Sequence, residues 1–186
     1  MKTHFDIGKL VENGSITNEL DYERALIADR KLRLLSKENT HFKTLRQKLR
    51  DLIEQYENSE WNNVESVSNE KILESDKSER IAEAERLFID KRKQEIRKRL
   101  KELDLSQEDL ASLLGHKSKS HMSELINGIK PFTLKDLIII NRLLNVELTK
   151  LVPVYLSKED QIKIKEAIRQ LDKPKIKLTS DYLTLA

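Results

Sequence analysis

The stretch "LSQEDLASLLGHKSKSHMSELINGIKPFTLKD", Leu105–Asp136, holds three helix starts and two helix stops. Ser106 and Asp109 have the spacing of a capping box, in which a side chain at each end satisfies an orphan donor at the other. The helix they open runs over Gln107–Leu114 and stops at Gly115, the residue type expected just past a helix end. A second short helix from about Ser118 to Asn127 stops at Gly128. Pro131 follows, and Thr133 with Asp136 repeats the capping-box spacing for a helix to about Leu144. Leu148 to Val152 adds a turn before Pro153.

Two short helices joined by a Gly-containing turn and followed by a third form the helix-turn-helix pattern. At about 100° per residue, the second helix places Met122, Leu125 and Ile126 on one side. Lys119, Ser120, Ser123, Glu124 and Asn127 take the outward arc, with His121 on its flank. Those residue types suit a major groove: Lys donates to guanine O6/N7, Ser pairs with several base edges, and Glu accepts from cytosine N4. At the N-terminal end Lys117, Ser118, Lys119 and the open backbone N–H groups suit phosphate. An ordinary solvated face on a small helical bundle is the alternative at this level.

Upstream, the first fifteen residues read as a loose arm. Thr17 or Asn18 caps a helix to about Leu35, with Glu19 and Asp21 where the helix dipole favours acids. "SKENT" breaks it, and Thr40 is placed to cap the next helix. There Leu45, Leu49, Leu52, Ile53 and Tyr56 make one apolar stripe. The two helices should pack as an antiparallel hairpin. The polar stretch 58–68 reads as a linker anchored by Trp61. A charged helix from about Asn69 to Leu103 follows, either whole or broken near "ESDKSE". Residues 157–171 suggest a further helix, and the tail from 174 a single strand or extended arm.

The fold expected is therefore all-α. An N-terminal hairpin region (1–61) and a linker (62–80) precede a five-helix helix-turn-helix domain (81–156), and a C-terminal helix and tail (157–186) end the chain. Hydrophobic residues at 38% and charged residues at 36%, with four Gly and three Pro, suit such a protein. Residues 81–156 carry 14 basic and 11 acidic groups, a net +3, against −2 for residues 1–80. Positive charge thus gathers in the half with the groove-like helix.

No cysteine is present, and the longest apolar run is Leu137–Ile140, far short of a membrane span. A cytoplasmic protein is expected, with no membrane partner. The glycines form neither a GxGxxG nor a Walker A loop. His116 and His121 are five apart without an HExxH string or a Cys partner, so no metal site is expected. Ser68-Asn-Glu-Lys71 has a Ser-x-x-Lys string without its companion motifs. No catalytic residues, no enzyme and no cofactor are expected.

The helix "TLKDLIIINRLLN" is apolar nearly all round: Leu134, Leu137, Ile138 and Leu144 group on one side, Ile139 and Leu143 near the other. Such a helix needs cover on both sides. A second subunit over Ile139 and Leu143 would supply it, and two recognition helices about 34 Å apart would read a pseudo-palindrome. The chain's own C-terminal helix is the alternative cover.

The segment "LDLSQEDLASLLG…SHMSELINGIKPFTLKDLIIINRLLNV", within Ile96–Pro153, resembles the Xre/Cro-repressor type of helix-turn-helix domain. That resemblance implies base contacts from Lys119, Ser120 and Glu124, with Ser123 beside them. It implies phosphate contacts from Gln107, Asn127 and Lys130. Asp104 departs from the family, which often has Gly there, and implies local strain. More narrowly, "GHKSKSHMSELINGIKPFTL" and the hairpin Ile16–Glu57 resemble the HigA antitoxins. That likeness implies a homodimer that represses its own operon at double-stranded operator DNA. It also implies that the protein neutralises a small mRNA-cleaving, HigB-like toxin. A stand-alone repressor of the same type, or an interaction scaffold without a DNA role, are the rival expectations.

Overall fold

A computed structural model describes residues 5–37, 39–62, 68–153, 158–171, 173 and 175–176. Among these there are nine helices and no strand. The tail expected as a strand falls outside the described residues, except for 175 and 176, which take no strand conformation.

The first residues are ordered as α1 (Ile7–Asn13), not a loose arm. Asp6 caps it by accepting from the Lys9 N–H, Gly14 closes it at φ 74, and Ile7 and Leu10 are buried. Next come α2 (Glu19–Leu35), capped by Asn18, and α3 (Thr40–Glu60), capped by Asn39. Thr40 is thus the first residue of α3 and not its cap. The N-terminal core joins Ile7, Leu10, Ala25, Ala28, Leu32, Phe42, Leu49 and Ile53, with Trp61 packed at its margin. One further member comes from far along the chain: Ile129.

α4 (Asn69–Glu102) is a single unbroken helix, so the expected linker 62–80 is helical from Asn69 onward. "ESDKSE" contains neither Gly nor Pro, and nothing in it interrupts the backbone ladder. Its buried residues Ser78, Ala82, Ile89, Arg92, Ile96 and Leu100 follow a three-to-four-residue spacing. The first part of this stripe meets α2, held also by Arg24 to Glu85 at 2.6 Å and Lys31 to Asp90 at 3.4 Å. Its last part enters the second core.

That core is closed by α5 (Gln107–Leu114), α6 (Lys119–Asn127), α7 (Leu134–Leu144) and α8 (Leu148–Leu151) around Ile96, Leu110, Met122, Leu125, Ile140 and Leu144. Arg92 lies against the second core, over the Phe88 and Phe132 rings and bonded to the Leu151 carbonyl. α9 (Lys158–Gln170) follows, with Ile162 and Leu171 exposed.

On α7 the faces differ from those expected. Leu137, Ile140 and Leu144 enter the core, whereas Leu134 and Ile138 are exposed. Asp136 fixes this rotation: it closes the capping box with Thr133 and is itself buried, 3.2 Å from His116.

Asp104 stands at φ 54, in the left-handed region. The Leu105 N–H bonds the Leu100 carbonyl and the Asp104 N–H that of Lys101, a Schellman closure of α4 with Asp at the position glycine prefers. Asp tolerates this region better than most residues, yet still carries a Cβ penalty. Asp104→Gly should therefore raise the unfolding free energy by about 0.5–1 kcal/mol, read from urea midpoints at unchanged slope.

Candidate nucleic-acid interface

α5 opens on the Ser106–Asp109 capping box and closes at Gly115, φ 80. Residues 116–118 turn the chain, and the Ser118 hydroxyl caps α6 by accepting from the His121 N–H. α6 closes with the bonds of a Schellman motif: Ile129 N–H to Glu124 carbonyl at 2.8 Å and Gly128 N–H to Leu125 carbonyl at 3.2 Å. Met122, Leu125 and Ile126 are buried, as their placement on the wheel predicts.

The outward arc is only partly open. Lys117, Ser118 and Lys119 are exposed, and the Lys119 ammonium reaches Glu108 at 2.5 Å. Ser123 is half-buried and accepts from the Asn127 amide. Ser120 accepts from Asn39 Nδ2 at 2.7 Å. Glu124 is buried, 3% exposed, with its carboxylate against His41 Nε2 at 2.8 Å, Lys130 Nζ at 3.1 Å and His121 Nδ1 at 3.3 Å. Asn127 is also buried, and its Oδ1 accepts from Lys93 Nζ at 2.6 Å. Gln107 borders a surface depression of about 550 Å³ with Arg97 and Lys101. Away from this region Ile139 packs partly on the core, while Leu143 is exposed.

The fold thus gathers Lys117, Ser118, Lys119, Ser120, Ser123, Glu124, Asn127 and Lys130 at one helix and its flanks. Ser120 and Glu124, however, already bond the start of α3. Three participants have no part in the sequence expectation. Lys93 lies in the basic run KRKQEIRKRLK, 91–101; burial and the neighbouring Arg97 hold its pKa below the usual lysine range. Asn39 and His41 carry no such signal, because nothing local to residues 39–41 points to residues 120–124.

Residues 96–151 match the family model for the helix-turn-helix. This segment is a helix-turn-helix domain. The match is to the Xre/Cro type and supports a DNA-binding regulator. No curated protein and no solved structure matches the chain. Among the described residues no helix is long and apolar enough to cross a membrane.

Burial pushes the Glu124 pKa up, but hydrogen bonds from His41, Lys130 and His121 outweigh it and leave it below the ordinary 4.5. A lowered folded-state pKa means stabilisation that is complete above the unfolded value and lost as pH falls through the folded one. Glu124→Gln should destabilise the helix-turn-helix domain near neutral pH by about 1–2 kcal/mol, its partners being partly solvated. Urea titrations across pH should show the gap from wild type closing below about 4.5.

Proposed function

We propose that this protein is a sequence-specific operator-binding repressor, and that its N-terminal hairpin makes it the antitoxin of a small mRNA-cleaving, HigB-like toxin. The observation that carries the DNA reading is α6. It follows a four-residue connection, Gly115–Ser118, inside the matched segment and has exposed Lys117 and Lys119 at its N-terminal end. Phosphate contacts at that end position the helix, and the arc behind it reads base edges. Lys93 joins Gln107, Asn127 and Lys130 as a phosphate-facing cation.

The antitoxin reading is supported by the likeness of the hairpin and recognition segment to HigA proteins. The hairpin's core, in which α1, α2 and α3 share one cluster joined by Ile129, is also what a partner-binding module needs. Dimerisation through α7 is supported by the apolar side chains it leaves in solvent, Leu134, Ile138 and Leu143. The protein acts by binding, in the cytoplasm, without an enzymatic activity of its own.

In promoter-DNA titrations, Lys119→Ala should cost about 1–3 kcal/mol and relax the preference at one base position. Lys130→Ala should weaken all sequences alike and lower the salt slope by about 1. Unchanged binding in both would place the recognition surface elsewhere. Gentle purification of the tagged protein from its native locus should bring down a small basic protein in stoichiometric amount. Recovery of the protein alone, or with DNA only, would remove the antitoxin role and leave the repressor.

A further inference from the structure

The start of α3 lies on the face of α6 that the DNA reading assigns to base contacts. Asn39 holds Ser120 at 2.7 Å and His41 holds Glu124 at 2.8 Å. A third tie comes from α1, whose Ile7 N–H bonds the carbonyl of Ile129 at 3.0 Å, just past the end of α6. The Ile129 side chain is 1% exposed and belongs to the N-terminal core. The hairpin therefore grips α6 on its outward arc and at its closing turn.

Sizes decide what this means for DNA. A major groove is about 12 Å wide, and an α-helix with its side chains is about 10–12 Å across, so the groove admits one helix. Packed helices stand about 8–10 Å apart axis to axis, and α6 with the α3 corner attached exceeds the groove. Glu124, moreover, is 3% exposed with the corner in place, and so is not open to a base edge.

We infer that the α2–α3 corner, Asn39–His41, is an intramolecular competitor of DNA: the chain as it stands is closed to its operator, and operator binding requires the corner to leave α6. This rests on α6 being the recognition helix. DNA affinity is then scaled by the fraction of molecules in which the corner has lifted, so whatever holds the hairpin away from α6 strengthens repression.

The test is His41→Glu in the full chain, which sets a carboxylate against Glu124 and lies outside the DNA-contacting residues. Thermal stability should fall while affinity for the promoter DNA rises by about tenfold, the factor by which the open population grows. A merely structural role would lower both. Affinity that stays level or drops, in a variant whose circular dichroism is native, overturns the inference. Wild-type hydrogen exchange supplies a reading that needs no variant. The Ile7 amide is a first-turn donor with no intrahelical partner, so its protection comes from Ile129. Promoter DNA should speed its exchange; unchanged or slower exchange would contradict lifting. If Lys119→Ala weakens wild-type binding while His41→Glu does not strengthen it, only the competitor idea falls. If no duplex binds to either protein, the DNA reading falls and takes the inference with it.

Discussion

Glu124 bonds in two directions at once, and both halves of the molecule are set by it. Its backbone carbonyl takes the Ile129 and Lys130 N–H groups and so closes α6. Its carboxylate takes His41 from α3, with Lys130 and His121 beside it. Closing the helix this way projects Ile129 into the N-terminal core, where burying such a side chain contributes about 1.5–3 kcal/mol. A buried carboxylate without partners would be costly. Here it has three cationic or hydrogen-bonding neighbours, one of which, His41, the hairpin supplies.

α4 makes this coupling mechanical as well as chemical. One continuous stripe from Ser78 to Leu100 lines the N-terminal hairpin at one end and the helix-turn-helix core at the other. Arg92, over the Phe88 and Phe132 rings, begins the part that packs on the second core. A partner that binds the hairpin therefore acts on a body joined to the recognition helix by a side-chain contact on one side and a rigid helix on the other. In the proposed repressor, partner binding and DNA binding are linked through that joint and not through a flexible tether.

Much of this was legible in the chain because helix ends are written locally. Ser106 with Asp109, Thr133 with Asp136, and Gly115 and Gly128 each act within four residues, and the helices between them appear where those signals place them. α1 was not legible: seven residues with Gly8 inside offer too few positions for a periodicity. The continuity of α4 was obscured by its polar composition, which says little about a backbone free of Gly and Pro. The wheel placed Met122, Leu125 and Ile126 inward as found, but Glu124 and Asn127, set on its outward arc, are buried, because the wheel cannot tell solvent from a distant part of the same chain. Asn39 to Ser120 and His41 to Glu124 span about eighty residues, and no spacing rule reaches that far. Asp104 shows the opposite case, where one residue out of pattern pointed to a real left-handed backbone.

The most direct measurement is the distance between spin labels at Lys43→Cys and Ser112→Cys, one exposed site on α3 and one on α5, in a chain with no cysteine of its own. Taken with and without promoter DNA by pulsed electron resonance, it reads whether the hairpin and the helix-turn-helix part company. A longer or broader distance on DNA is the expected result. The same narrow distance in both states, with DNA demonstrably bound, would mean that α6 does not enter the groove as described.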